Sequence, residues 1–317
     1  MTEILTPEEV TQRFGRMFSL GFFTLVDEKN GIAQVIEHCT AKGPVEWDAL
    51  NRMRAGGVVE NTFVDGNTLI MNTKIGEREV KFGPASKDLG AQALKSLKVI
   101  GEEVHTTWLG LAGASIGVGA CLPQAPGVIR AIYPDLEGLG GAKEVEIIIV
   151  SKKLKRLVLG VDDTDSKEKG ASWVLMLELM NSMPHAEPLL HKIIQLNPKV
   201  PEKTTSCVSI GASFAVEEEK IPSAVDFAVD FIGDHSLSKH TSLAVFEGLS
   251  VPEELKAYGL EAKSRIISIV EAEEVAEKNG VRMIEITGNR GKIGARAAIG
   301  CFDWGLQAAG LKEDFKE

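Results

Sequence analysis

Cysteine is scarce in this sequence. Among its 317 residues there are four, Cys39, Cys121, Cys207 and Cys301, so scattered that no two stand in C-x-x-C spacing. That spacing excludes a zinc ribbon and a dense disulfide framework, and leaves reduced thiols in an intracellular protein as the expectation. Long apolar runs are missing too. The longest, Trp108 to Leu122, stops at Pro123 and falls short of the roughly 20 residues that a membrane helix needs. The opening residues, MTEILTPEEV, are acidic and carry no apolar signal core, so the expected location is the cytoplasm, with no membrane partner.

Positive charge is in the minority as well. Against 35 Lys and Arg stand 45 Asp and Glu, a formal net charge of −10. Non-specific affinity for phosphate backbones comes mainly from Lys and Arg, so a nucleic-acid partner is not expected, although a local basic pocket remains compatible with the total. The histidines form no H-E-x-x-H pattern, which disfavours a zinc hydrolase, and no G-x-S-x-G elbow is present.

What is present is a chain 44% hydrophobic, long enough to bury a core in each of two domains. In the first half, Asn30-Gly31, Asp65-Gly66 and Ile75-Gly76 sit at turns between strand-like runs and predict a small antiparallel meander. Ser86 reads as the cap of a helix carrying Leu89, Ala93, Leu94, Leu97 and Ile100 on one face. Gly110, Gly113, Ala114 and Gly117 fall at helical spacing and give a nearly bare face for close helix packing. A glycine-rich stretch, Pro134 to Glu144, precedes VEIIIV and RLVLGV, read as two strands separated by SKKLK. The domain boundary is expected there, giving residues 1–150 and 151–317.

The second half alternates differently. A helix from Ala171 to Met183 is followed by strand-like HKIIQL and CVSIGASFAV, an amphipathic helix around SAVDFAVDFI and strand-like SLAVFE. A long helical stretch, PEELKAYGLEAKSRIISIVEAEEVAEKNG, comes after them. Mixed α/β is the expected class, with an antiparallel sheet and helices in the N-terminal domain.

Chemistry concentrates in RLVLGVDDTDSKEKGAS, residues 156 to 172, where an apolar strand runs into Asp162, Asp163 and Asp165. Carboxylates crowded at a strand end suit Mg²⁺, which takes one or two of them together with waters and the phosphates of its substrate. Thr164 and Ser166 add hydroxyls for the metal or a phosphate oxygen. The same residues would also serve an Asx-turn and a helix cap. A second segment, GNRGKIGARAAIG, interleaves Arg290 and Lys292 with glycines where a helix opens, so cations, backbone N–H groups and the helix dipole could meet an anion. It is not a P-loop, and its glycines would equally serve helix packing. A third, LNPKVPEKTT, presents Lys203 and Thr204 after two prolines, as a phosphate contact or an ordinary surface loop.

In their order and spacing, LGVDDTDS, LNPKVPEKT, SLAVFE and RGKIGARAAIG resemble the ATP-dependent kinase-like domain of archaeal tRNA agmatidine synthetase, over about residues 157 to 305. The whole chain resembles methanogenesis marker protein 11, a family of methanogenic archaea. The resemblance implies that Asp162, Asp163 and Asp165 handle Mg²⁺-ATP. It matches Lys203 and Thr204 to a Lys-Thr pair, Lys239 to a lysine before the AVF strand, and Arg290, Gly291 and Gly294 to an Arg-Gly-x-x-Gly pattern. Departures accompany it. The synthetase's threonine pair, one member of which is phosphorylated, meets Ser172 or Trp173 here, depending on where the count starts. Thr205, Ser206 and Cys207 replace Arg-Gly-Asn, and no zinc ribbon follows, so tRNA is not an implied substrate. The expected function is Mg²⁺-ATP-dependent phosphoryl or nucleotidyl transfer to a small-molecule or protein acceptor. A nucleotide-binding assembly factor and an RNA-modifying enzyme are the alternatives.

Overall fold

The computed structural model describes residues 2–82 and 91–315, and the chain divides into two compact units, Met1–Leu154 and Lys155–Glu317. Both are mixed α/β. The expected helix cap Ser86 and its neighbour Leu89 lie outside the described residues. Among the described residues no helix is long and apolar enough to cross a membrane.

In the first unit, β1 (Glu3–Leu5) and α1 (Pro7–Phe14) precede the hairpin of β2 (Ser19–Asp27) and β3 (Ile32–Cys39), whose turn holds Gly31 at φ 65°. After α2 (Lys42–Ala55) come the hairpin of β4 (Val59–Asp65) and β5 (Thr68–Lys74), the short β6 (Gly76–Glu77), β7 (Ala91–Ile100), β8 (Glu103–Leu111) and β9 (Val128–Tyr133). The pairings are antiparallel except one, where Lys153 and Leu154 run parallel to β2. Phe22, Leu94, Trp108 and Tyr133 fill the core. The buried Arg52 guanidinium lies 4.7 Å over the Trp108 ring and pairs with Glu37 at 2.5 Å, so its charge is neutralised where water cannot reach it.

Two expectations fail here. The residues given to a helix ending at Ile100 form strand β7, paired along its length with β8. A bulge between Leu94 and Ser96 breaks the two-residue alternation, and its spacings of three and four imitate a helix. Gly110 lies on β8 rather than on a helix, where its bare backbone admits Ser115, whereas Ala114 does lie in a short helix, Ala114–Ile116, and Gly117 in the helical segment that continues it.

The SKKLK segment does not separate two strands either. Residues Glu144–Asp162 form one strand, β10. Its lysines keep their charged heads paired, Lys153 with Glu102 at 3.1 Å and Lys155 with Glu218 at 3.4 Å, so the backbone continues through them.

The second unit adds α3 (Ser172–Ser182), β11 (Ala186–Gln195), β12 (Val208–Val216), α4 (Ile221–His235), β13 (Ser242–Glu247), α5 (Glu253–Ala262), α6 (Ile269–Lys278), β14 (Arg282–Glu285) and α7 (Lys292–Gly300). Its sheet has the order β11-β12-β10-β13-β14 and is antiparallel throughout. Alternation along β10 sends Leu157, Leu159 and Val161 into a core with α3 and α4. Val158 turns to the opposite face, against Ala295 and Ile299 of α7. Burying each such side chain contributes about 1.5–3 kcal/mol, so the end of β10 is firmly held. The helical stretch expected from Pro252 to Gly280 is two helices, broken at Lys263–Ser268. Ser268 starts the second with a capping box to Glu271, a signal readable in the sequence as S-I-V-E.

Candidate functional site

Strand β10 delivers Asp162 at its last position, and the next residue, Asp163, adopts φ 58°, a left-handed conformation that costs a non-glycine residue about 1–3 kcal/mol. The turn is pinned by its surroundings. The Thr241 hydroxyl donates to the Asp163 carbonyl at 2.6 Å, and the Leu237 N–H donates to the Thr164 carbonyl at 2.8 Å. The chain thus turns sharply, and the aspartates enter a cleft of about 580 Å³ within the second unit.

Helix α7 closes the cleft from the other side. Arg290, just before it, donates from Nε to Asp163 Oδ2 and from Nη2 to Asp163 Oδ1, both at 2.9 Å. Gly291 has room for no side chain, since a Cβ there would stand 2.8 Å from the Asp162 and His240 carbonyl oxygens. At Gly294 a methyl would overlap the Asp162 carboxylate itself. These glycines therefore let a helix start rest directly on the end of a strand. Gly160 does the same one turn further along, under the Ala295 carbonyl.

Asp162 accepts from the backbone N–H of Asp163, yet its carboxyl is pushed well above the usual carboxylate range. Burial is the main cause, and the neighbouring charges of Asp163 and Asp165 add to it. Burial also raises Asp165, opposed by the hydrogen bond it accepts from Thr204 at 3.0 Å. Lys203 lines the same cleft.

Among the described residues no group of three or more His, Cys, Asp or Glu is arranged to hold a metal ion. The three-aspartate ligand set expected from the sequence is not assembled, because Asp163 is committed to Arg290. Asp162 and Asp165 remain in the cleft as carboxyl groups whose charged forms burial disfavours. One or two carboxylates beside open space fit Mg²⁺, which completes its shell with water and phosphate.

Several other expected site residues do not face the cleft. The Thr164 hydroxyl is buried and donates to Ser172 Oγ at 2.8 Å. Ser166 Oγ accepts from the Lys169 N–H at 3.1 Å and closes a local turn. Lys292 binds Glu273 and Glu285, each at 2.6 Å, which neutralise it away from the aspartates. The Lys239 side chain is exposed outside the cleft, whereas its neighbour His240 lines it. Arg290, Gly294, Lys203, Thr204 and Ser172 do line it.

The sequence reading missed the apolar wall, formed by Ile266, Ile267 and Ile269 at the break between α5 and α6 together with Leu196, Val200 and Ile293. Lys263 holds that break in place, its ammonium donating to the Gln195, Ala308 and Gly310 carbonyls at 2.7–3.0 Å. The lining of the cleft thus combines charged and apolar residues, and includes Trp173, Cys207 and Asn289.

The family model for the TiaS TCKD domain matches residues 158–226. The sequence is 32% identical over 150 residues to the tRNA 2-agmatinylcytidine synthetase TiaS of Pyrococcus horikoshii, covering 45% of this chain and 35% of that protein. It is 33% identical over 150 residues to TiaS of Thermococcus sibiricus, covering 46% and 35%. The chain spans about a third of the length of these synthetases. Among solved structures, the complex of TiaS with its tRNA and ATP is similar at 26% identity and a TM-score of 0.42, over 46% of this chain and 36% of that one. The complex of TiaS with its tRNA, AMPCPP and agmatine is similar at 23% identity and the same TM-score, over the same shares.

These relatives overturn the expectation, drawn from net charge, that a nucleic-acid partner is unlikely: the proteins that match the second unit are named for action on tRNA. Net charge sums over the whole surface, and binding depends on the local field where a ligand docks. Along nearly its whole length the chain matches the uncharacterized protein MJ0921 of Methanocaldococcus jannaschii, at 32% identity over 295 residues, 92% of this chain and 96% of the relative. The chain belongs to the family of MJ0921, and its second unit is similar to a region of TiaS.

Proposed function

We propose that the second unit binds Mg²⁺-ATP in the aspartate cleft and transfers a phosphoryl or nucleotidyl group to an RNA acceptor. The observation that carries this reading is the meeting of Asp162, Asp165, Lys203 and Arg290 in one cleft that is also lined by Ile266, Ile267 and Ile269. The sequence likeness to a tRNA-modifying synthetase supports ATP use and RNA as the acceptor class.

Asp162 and Asp165 would hold Mg²⁺, which when bound draws negative charge from the phosphate oxygens. Asp163 holds the Arg290 guanidinium flat by two hydrogen bonds, and Arg290 and Lys203 stabilise charge on the transferring group and on the phosphate that departs. A nucleophilic atom of the acceptor forms the new bond to phosphorus as the bond to the leaving ADP (phosphoryl transfer) or pyrophosphate (nucleotidyl transfer) breaks, and the proton of the nucleophile passes to water. The isoleucine wall takes the adenine ring and keeps water from it. On this reading the first unit recognises the acceptor, and the whole-chain resemblance to methanogenesis marker protein 11 gives the activity a setting in methanogens.

Calorimetric titration with Mg²⁺-ATP, followed by ATP consumption with and without RNA, tests the reading. Saturable binding that Asp162→Asn weakens at least tenfold, with RNA-stimulated turnover, is the expected result. Binding without turnover would instead indicate an assembly factor, and absence of Mg²⁺-ATP binding would overturn the proposal.

A further inference from the structure

Trp173 is 45% exposed, although it is the second residue of a helix whose neighbouring positions Leu175 and Met176 are buried in the core. It lines the cleft and directly follows Ser172, whose hydroxyl accepts from Thr164 of the aspartate turn at 2.8 Å; Thr204, on the same lining, donates to Asp165 at 3.0 Å. One turn along α3, Leu177 is also exposed, at 36%. A half-exposed tryptophan loses the burial that normally favours it, and a flat ligand laid against it would restore that burial.

We infer that Trp173 is the stacking platform for an unpaired nucleobase of the acceptor strand. The inference rests on the RNA-acceptor reading above and adds the residue that recognises the acceptor. Every base has a π-face, so an aromatic platform binds single strands with little dependence on sequence. The neighbouring groups suit the remainder of a nucleotide: Lys203 offers a cation to its phosphate, and the hydroxyls of Thr204, Thr205 and Ser206 line the same wall. Adenine of ATP is the competing source of a flat ring. Trp173 stands on the helix start that Ser172 ties to the aspartate turn, which on this reading is the phosphate end of a bound nucleotide, where an acceptor must approach, and the isoleucines are left for the adenine.

The test measures two affinities on the full-length protein: fluorescence anisotropy of a short labelled single-stranded oligoadenylate, and calorimetry of Mg²⁺-ATP. Trp173→Ala is expected to weaken the oligonucleotide at least about fivefold, the lower end of the stacking range, while Mg²⁺-ATP affinity changes less than half as much. Trp173→Phe keeps a π-face and should recover most of the loss. Trp173→Leu keeps apolar bulk without one and should not, which separates stacking from packing even if the alanine variant folds poorly. An oligonucleotide affinity unchanged in Trp173→Leu overturns the platform alone. A larger loss for ATP than for the oligonucleotide reassigns the ring to adenine and overturns it as well. A wild-type protein that binds Mg²⁺-ATP but no RNA removes the RNA-acceptor reading and the platform with it.

Discussion

Asp163 and Arg290, 127 positions apart in the chain, are joined by two parallel hydrogen bonds of 2.9 Å that tie the end of a strand to the start of a helix. Such a fork is specific to a guanidinium, because an ammonium cannot span both oxygens. Arg290→Lys should therefore keep the charge yet weaken Mg²⁺-ATP about tenfold, and lower the stability of the ligand-free protein by no more than about 1 kcal/mol, since the arginine is partly exposed. Calorimetry and a melting curve check both numbers. Full affinity in the lysine variant would mean that orientation of the cation is immaterial.

Gly294→Ala tests the contact between helix and carboxylate. Alanine would favour the helix by about 1 kcal/mol, but its methyl would displace the Asp162 side chain. The expected protein is folded and loses the rise in melting temperature that Mg²⁺-ATP confers on wild type. A thermal-shift series decides, and an undiminished response would show that Asp162 need not lie where it does.

Lysines 203 and 292 should behave oppositely. Lys292→Met breaks two ion pairs outside the cleft and is expected to cost about 1 kcal/mol of stability, with Mg²⁺-ATP affinity within twofold of wild type. Lys203→Met should leave the melting temperature unchanged and reduce affinity at least tenfold. Equal effects on affinity would contradict the positions of the two side chains.

The cap beneath the isoleucine wall gives a pH dependence. Glu271 is held at a pKa of about 2, chiefly by the hydrogen bond from the Ser268 backbone N–H and then by Arg265, against 4.5 for the ordinary group. Between those values the unfolded chain binds the proton and the folded one does not, so stability rises with pH across that window. The stabilisation is complete above about pH 4.5 and is lost as the pH falls toward 2. In melting curves from pH 7 down, the advantage of wild type over Glu271→Gln should shrink only within that window. A gap independent of pH would assign the effect to cap geometry alone.

The charged half of the site was legible because it is written in short segments: Asp162 to Asp165, Lys203-Thr204 and Arg290 to Gly294 each stand out by residue type. The apolar half was not. Ile266, Ile267 and Ile269 look like a helix interior until the break at Lys263–Ser268 is recognised, and that break depends on carbonyls from positions 195, 308 and 310 reaching Lys263. Strand β7 was misread for a related reason. Its early residues are buried on both faces, so no period of two survives, and one bulge supplied the spacing of a helix. Lys292 was misassigned because composition cannot show which way a side chain leaves a helix.

Where α7 meets β10, main chain rests on main chain, and that contact divides the protein's freedom to vary unequally. At Gly160 and Gly291 that joint leaves no room for a Cβ, so it cannot be adjusted there by exchanging one residue for a slightly larger one; it is kept whole or it is lost. The rim formed by residues 196–207 and 263–268 has no such restriction, being loop held by a few hydrogen bonds. Substitutions in the rim could therefore change what the cleft accepts, while the inner joint stays as it was cast.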